Sequence, residues 1–280
     1  MTRSDAGRNL TSRGRVALLG LPADEHSSHL RGAAAAPPAI RAALASPSSN
    51  LWAENGVDIG AKGMIADLGD LPLGGKLDLE AIEAGARGAL AAAPRAIFLG
   101  GDHSVSWLLL RALSESRGKN LTVLHFDAHP DLYDSFEGDR LSHACPFARV
   151  MEEGLVSRLV QVGIRGMNSH QAQQARRFGV EVINMEDWTS GKRPAIEGEL
   201  YISLDLDALD PAFAPGVSHP EPGGLSTREI ITAINCSGGT LRAADIVELN
   251  PSRDPSGLSA MVAAKLLKEL AGRMILEGGA

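Results

Sequence analysis

This sequence has little cysteine, few aromatic residues and no long hydrophobic run. Only Cys145 and Cys236 occur, so no disulfide framework is implied and a reducing compartment is indicated. No apolar run approaches the roughly 20 residues that a membrane-spanning helix needs. Basic residues are outnumbered, with 27 Lys and Arg against 34 Asp and Glu among 280 residues. The net charge of −7 argues against a nucleic-acid-binding surface.

The first fourteen residues are polar and lack the apolar core of a secretory signal. They contain arginine and serine, as transit peptides do, but Asp5 and the lack of an apolar face favour a simple tail. We expect residues 1–14 to be a disordered tail and residues 15–280 to form one domain. The predicted location is the cytoplasm, and a short transit segment is the alternative.

Hydrophobic runs alternate with helical patterns along the whole chain. Several runs are unbroken, as expected for parallel strands that are buried on both faces. The predicted strands are 15–21, 64–68, 95–99, 121–127, 159–164, 180–184, 200–205 and 241–248. The clearest predicted helices are 38–45, 227–234 and 260–274, and the last should pack one apolar side on the sheet. This order predicts an α/β protein with a mostly parallel sheet of about eight strands, covered by helices.

Polar segments follow four of the predicted strands. In parallel sheets, functional residues collect in the loops beyond the carboxyl ends of the strands. The four segments are GGDHS (100–104), DAHPD (127–131), DLDALDP (205–211) and ELNP (248–251). Burying so many carboxylates together is prohibitive unless cations neutralise them.

The spacing within these segments predicts a metal site. The two acids and the histidine of DAHPD occupy alternate positions, so an extended chain would direct them to one side. The first two acids of DLDALDP repeat this pattern, and two glycines before His103 allow a close backbone approach. Each motif alone also suits an ordinary loop or turn. Together they offer six ligands to two divalent cations: His103, Asp127, His129, Asp131, Asp205 and Asp207. The absence of thiolates favours Mn²⁺ over a structural zinc.

The segments GGDHS, DAHPD and SLDLDALDP resemble the signature motifs of the ureohydrolase family, which contains arginases, agmatinases and related guanidino hydrolases. The resemblance covers nearly the whole chain, and residues 133–152 and 210–226 are most similar to plant arginases. It implies a three-layer α/β/α fold and a catalytic domain spanning residues 15–280. It also implies two Mn²⁺ ions per subunit, with Ni²⁺ as the alternative, and a homotrimer or homohexamer. No ligand position of the family motifs is substituted.

The resemblance implies hydrolysis of a linear guanidino compound, arginine or agmatine, with release of urea. Divalent ions make a nucleophile available at neutral pH by lowering the pKa of water. Asp131 is predicted to hold the attacking species and to take its proton. His143 matches the catalytic loop histidine of the family and is predicted to protonate the departing amine. Glu248 is predicted to pair with the guanidinium; an ordinary loop histidine and a cap or salt-bridge glutamate are the alternatives.

The remote end of the substrate is less well defined. Animal-type arginases have an asparagine two residues after the DAHxD motif, whereas Tyr133 stands here, as in the plant-like group. Tyr133 and Asp134 are predicted to contact the substrate, with Asp134 attracting an amino group. Arg140 or Arg165 would instead receive a carboxylate. Guanidinobutyrate, guanidinopropionate and free guanidine remain alternative substrates.

Two other classes of function stay open at this point. A guanidino-modifying enzyme could use Cys145, near His143, as a nucleophile, although the six metal-type residues would then have no role. A non-catalytic subunit could bind metal and assemble with an active partner, against which the intact His143 and Glu248 argue. The expected partner is a small guanidino molecule, and neither nucleic acid nor a membrane is expected to bind.

Overall fold

The computed structural model describes residues 15–278, and the predicted disordered tail lies outside them. An eight-stranded sheet forms its centre, and every hydrogen-bonded neighbour pair is parallel. The strands are β1 (Val16–Leu21), β2 (Ile65–Asp70), β3 (Ala96–Gly100), β4 (Leu121–Phe126), β5 (Arg158–Ile164), β6 (Glu181–Asn184), β7 (Glu199–Asp205) and β8 (Thr240–Val247). Their order across the sheet is β2-β1-β3-β8-β7-β4-β5-β6.

Helices cover both faces of the sheet and complete a three-layer α/β/α arrangement. They are α1 (Ala36–Leu44), α2 (Leu79–Ala92), α3 (Val105–Arg117), α4 (Pro146–Glu152), α5 (Ser169–Phe178), α6 (Met185–Thr189), α7 (Thr227–Cys236) and α8 (Leu258–Glu277). Side chains alternate between the faces along each strand. In β1, Val16 and Leu18 join a core under α1, α6, α7 and α8, whereas Ala17 and Leu19 join a core under α2, α3, α4 and α5.

The predicted strands are confirmed, with ends that differ from the observed ones by at most two residues. The predicted start of α7 is also confirmed, because Ser226 and Glu229 form a reciprocal capping box. Two prolines lie in the first turn of α1, as expected. None of the helices in the described part of the chain is long and apolar enough to cross a membrane.

Helix α8 differs from the prediction of one apolar side on the sheet. Its predicted face is packed at Leu267 and Leu270, but the polar residues Lys268, Glu269 and Arg273 are buried as well. The loop at residues 50–55 and the end of α7 cover this polar side. Lys268 donates to the Asn50 carbonyl, and Glu269 accepts from the backbone of residue 54. Long-range contacts therefore bury a helix side that looks solvent-exposed in the sequence.

The four polar segments meet because their strands are neighbours. β3, β8, β7 and β4 lie side by side in the middle of the sheet, and all four run in the same direction. Their carboxyl ends therefore open on one edge. The four polar segments are thus neighbours in space.

Candidate metal centre and active site

His103, in the loop between β3 and α3, lies at the centre of one half of the site. Its Nδ1 is 3.0 Å from Asp131 Oδ2 and 3.2 Å from both Asp127 Oδ2 and Asp205 Oδ2. Segments that follow three different strands thus converge on one nitrogen. All four residues are buried.

His129 defines the second half. Its Nδ1 is 3.0 Å from Asp207 Oδ2 and 3.5 Å from Asp127 Oδ1. Asp127 therefore belongs to both halves, with one carboxylate oxygen facing each histidine. The structure brings all six predicted ligands into one group.

The backbone achieves this convergence differently from the prediction of an extended DAHPD segment, which is wrong. β4 ends at Phe126, and the following chain bends. Asp127 Oδ1 accepts from the backbone N–H of His129 at 2.6 Å, and Asp131 has a φ of +50°. The segment from Asp205 to Asp207 also differs from the predicted extended chain. Asp205 caps a short 3-10 helix by accepting from the backbone N–H of Asp207 at 2.7 Å. Local side-chain-to-backbone bonds turn the chain where alternation predicted a straight one.

A buried hydrogen-bond chain sets the orientation of His103. Its Nε2 is 3.0 Å from Ser203 Oγ, which donates to Asp245 Oδ1 at 2.7 Å. Tyr201 and Ser106 donate to the other oxygen of Asp245. Because the Ser203 hydrogen is used on Asp245, His103 must donate from Nε2, and in the neutral ring the lone pair is then on Nδ1. That Nδ1 is buried and has no partner in hydrogen-bond geometry.

The charges of the group call for cations. Among the residues that the structure describes, no lysine or arginine forms an ion pair with the four aspartates; their ionic partners are histidines. Burial and the Asp127 charge raise the pKa of Asp131 to about 7. Burial alone would lower the pKa of His129, but Asp207 and Asp127 raise it to about 12. The orphaned Nδ1 and this oxygen-rich donor set fit divalent cations.

His125 is a functional residue that the sequence reasoning missed. It lies in β4 two positions before Asp127, and its Nε2 is 2.8 Å from Asp127 Oδ2. Gln161 donates to His125 Nδ1 at 3.0 Å and to the Pro130 carbonyl at 2.6 Å. The Nε2 of His125 therefore carries the proton and holds Asp127 in place. A histidine two residues before the first aspartate of the motif was the available signal.

His143 and Glu248 form the other polar pair of the site. His143 Nδ1 is 2.8 Å from Glu248 Oε1, which also accepts from the His103 N–H at 2.9 Å. Burial alone would lower the pKa of His143, but the Glu248 charge, helped by Asp102 and Asp131, raises it to about 9. His143 is therefore a cationic acid at neutral pH. Glu248 has a φ of +65°, an uncommon conformation for a non-glycine residue.

A cavity of about 150 Å³ opens onto both groups. Its wall includes the predicted Tyr133, whose ring stacks on His170 with centroids 5.6 Å apart. Six further lining residues were not singled out from the sequence: Ser28, Phe136, Ala144, Gly166, Gln171 and His219. Phe136 and Gly166 lie in the loops 130–143 and 165–170, which were expected to read the substrate, whereas Ser28 and His219 come from loops that no local motif marks.

Asp134, Arg140 and Arg165 are not part of this lining. Asp134 Oδ1 is paired with Arg140 at 2.8 Å and with Arg149 at 3.4 Å. Arg165 donates to backbone carbonyls, among them those of Asp207 at 2.7 Å and Glu221 at 2.5 Å. The loop charges proposed to read the far end of a substrate thus hold the loops together.

Cys145 does not fit the alternative of a thiol nucleophile. Its side chain is buried, with Sγ 3.7 Å from the Asp139 carbonyl, and it does not line the cavity. Burial and the Asp131 charge raise the pKa of the thiol to about 12. At neutral pH Cys145 is a protonated thiol, the unreactive form.

Comparison with known proteins now decides the family. The model of the Arginase family matches residues 14–272. The chain belongs to the arginase family. It is 44% identical to "Arginase 1, mitochondrial" of Arabidopsis thaliana over 92% of this chain and 81% of the relative. It is 32% identical to the proclavaminate amidinohydrolase of Streptomyces clavuligerus over 91% of this chain and 86% of that protein.

The arginase fold is equally clear from solved structures. The arginase from Medicago truncatula superposes with a TM-score of 0.89 at 41% identity, covering 94% of this chain and 88% of that one. The predicted family and the three-layer fold are confirmed. As a member of the arginase family, the chain is an enzyme of the ureohydrolase class, which uses a binuclear metal centre and acts on small guanidino substrates.

Proposed function

We propose that this arginase-family enzyme hydrolyses arginine to urea and ornithine with two Mn²⁺ ions. The observation that carries this proposal is a group of four buried aspartates with His103 and His129, next to the His143–Glu248 pair. Within the described part of the chain, no lysine or arginine forms an ion pair with these aspartates. The six proposed ligands are His103, Asp127, His129, Asp131, Asp205 and Asp207. When bound, the two cations lower the pKa of water and stabilise negative charge in the transition state.

The protein groups have separate tasks in this reaction. Glu248 attracts the cationic guanidinium and orients it by charge-assisted hydrogen bonding. Asp131, which lines the cavity, accepts the proton of the attacking water. His143, cationic at neutral pH, supplies the proton that the departing amine needs. The residues that accept and donate the two protons thus line the same cavity.

Agmatine is a second candidate substrate, because the lining of the cavity does not favour a carboxylate at the remote end of the substrate. No lysine or arginine lies among its described lining residues. A carboxylate of arginine would rely on neutral donors such as Tyr133 and Gln171. Agmatine lacks that carboxylate and needs no such donor. The relatives named arginase support arginine as the first candidate.

The metal requirement is tested on protein stripped by prolonged chelation. We expect urea release to be lost and then restored by Mn²⁺ more fully than by Zn²⁺, because the donor set is rich in carboxylates. Metal content per subunit should reach two. Stronger restoration by Ni²⁺ would change the metal and keep the reaction. Full activity of metal-free protein would contradict the proposal.

The substrate is tested by comparing kcat/KM for arginine, agmatine, guanidinobutyrate, guanidinopropionate and free guanidine at equal metal loading. We expect arginine or agmatine to lead and free guanidine to be poor, because binding energy at the remote end raises kcat/KM. If guanidine equals both, the substrate proposal is wrong while the urea-releasing chemistry stands.

Assembly and location are further proposals. We infer a homotrimer or homohexamer, consistent with exposed apolar side chains such as Trp52 and Phe213. Light scattering coupled to gel filtration measures the subunit number directly, and a monomer would refute it. The cytoplasmic location stays a prediction; fractionation of the source cells tests it.

A further inference from the structure

Ser28, in the loop after β1, lies against the ring of His143. Its Oγ is 2.9 Å from His143 Nε2, while Nδ1 is 2.8 Å from Glu248 Oε1. An imidazolium has only two N–H groups, so both are already engaged within the protein. A proton that travels from His143 to the substrate must therefore pass through one of these two partners.

The two partners differ in what they can do with a proton. An ionised carboxylate such as Glu248 only accepts hydrogen bonds, and its Oε1 already accepts from the His103 N–H as well. A serine hydroxyl accepts and donates at the same time. Ser28 also lines the cavity. The hydroxyl is therefore the partner that can receive a proton on one side and release one on the other.

We propose that Ser28 Oγ relays the proton from His143 to the nitrogen that leaves the substrate. The Nε2–H bond breaks as a new Oγ–H bond forms, and the original Oγ–H proton forms the new N–H bond of the departing amine. One proton crosses, the hydroxyl is regenerated, and His143 is left neutral. Because Ser28 is exposed, water then returns a proton to His143 through the same hydroxyl. This inference rests on the proposed function.

Contacts between two loops hold the relay in register. The backbone N–H of His143 donates to the backbone carbonyl of His26 at 3.1 Å, and the side-chain Nδ1 of His26 is 2.6 Å from Asp139 Oδ2. With the Ser28–His143 bond, these contacts join the Ser28 loop to the His143 loop at three points. The position of the hydroxyl is thus set by the protein even though it faces solvent.

The experiment compares Ser28→Ala, Ser28→Thr and the neighbouring control Ser27→Ala, all with measured metal content. Ser27 Oγ donates to Asp102 and is not bonded to His143. We expect Ser28→Ala to lower kcat by roughly 10²-fold, the lower end of the range for positioned proton transfer, with KM and metal content unchanged. Ser28→Thr keeps the hydroxyl and should stay within a few-fold of the wild type, as should Ser27→Ala.

Rescue by a small proton carrier separates a relay from a structural role. Added imidazole should raise kcat of Ser28→Ala in proportion to its concentration and leave the wild type unchanged. Wild-type kcat in Ser28→Ala would overturn the relay. A slow variant that imidazole does not rescue, or one that has lost metal, would overturn it too.

Nitrogen NMR of the resting protein distinguishes failure of the relay from failure of the proposed function. The His143 Nε2 resonance should shift in Ser28→Ala and not in Ser27→Ala. If the His143 resonance does not shift in Ser28→Ala, the relay proposal is wrong whatever the activity of the variant. If the shift is present but the wild type cleaves neither arginine nor agmatine, the proposed substrate is wrong, and the kinetic comparison moves to the guanidino compound that is cleaved.

Discussion

Acidic residues occupy two neighbouring regions of this enzyme in opposite electrostatic settings. In the buried cluster, the Asp127 and Asp205 side chains are 1% and 4% exposed and face only histidines among the ionic partners described. On the adjoining loop, Asp134 and Asp139 are 46% and 43% exposed and already pair with Arg140 and His26. Buried acids without a lysine or arginine partner need an added cation, whereas the exposed loop acids are solvated and need none.

The pKa shifts follow the same division for three of the four cluster aspartates, because the pKa values of Asp131, Asp205 and Asp207 are raised. Burial alone would raise the pKa of Asp127 as well, but the charge of His125 and hydrogen bonds from neighbouring histidines lower it. Burial, together with Asp207 and Asp127, raises the pKa of Asp205 well above its usual range. The hydrogen bond from Arg140 lowers the pKa of Asp134. A carboxylate with a raised pKa is one whose charge is uncompensated. Asp205 therefore needs an added cation, whereas the charge of Asp134 is already compensated.

The largest expected effect comes from Asp205→Asn, which removes a charge from the cluster. We expect loss of stoichiometric metal binding and a fall in kcat/KM on the order of 10³-fold or more, because metal ions supply several kcal/mol of transition-state stabilisation. Metal analysis and urea release measure it. Asp210→Asn is the matched control, since Asp210 accepts from backbone N–H groups of residues 212 and 223 outside the cluster. Full metal content in Asp205→Asn would remove Asp205 from the ligand set.

Replacing His143, the proposed proton donor beside the cluster, should lower activity without loss of metal. His143→Asn should lower kcat by about 10²- to 10⁴-fold with unchanged metal content, because it removes the proton source. Glu248→Gln should also raise KM, since it removes the charge that pairs with the guanidinium. Steady-state kinetics and metal analysis test both. If His143→Asn strips a metal, His143 is a ligand and its assigned role is wrong.

Asp245→Asn tests whether hydrogen bonding behind the cluster sets the metal-binding nitrogen. The new amide can donate to Ser203, which would then donate to His103 Nε2 and move the histidine proton to Nδ1. We expect metal affinity to fall by about 10- to 100-fold, measured by titration of the metal-free protein. Ser106→Ala, which removes only one donor to Asp245, is the milder control. Unchanged metal affinity in Asp245→Asn would show that the hydrogen bonds from Asp245 through Ser203 do not control the tautomer of His103.

The smallest effect is expected on the loop. Asp134→Asn breaks an exposed ion pair worth at most about 1 kcal/mol, so kcat/KM for arginine should stay within about twofold. Kinetics with arginine and agmatine at the same metal loading decide this. A tenfold rise in KM for both would restore Asp134 as a substrate-binding residue and break the contrast between the two regions.

Much of the architecture was readable from local patterns. Hydrophobic runs located every strand of the sheet, and several are unbroken because a parallel strand covered on both faces is apolar along its length. The Ser226–Glu229 capping box located the start of α7. Local patterns did not predict the packing of α8. Its buried Glu269 and Arg273 form hydrogen bonds with residues distant in sequence.

The metal cluster and the cavity also differ in how much of each the sequence could predict. Sequence alone determined the six ligand candidates, because each follows a strand end or a glycine turn in a short motif. Only the structure decided how they converge, since Asp127 and Asp205 turn the chain through local hydrogen bonds rather than by strand alternation. It also decided that Ser28 and His219, and not Asp134, line the cavity. Those residues are placed by contacts between loops far apart in the chain, and no local spacing records such contacts.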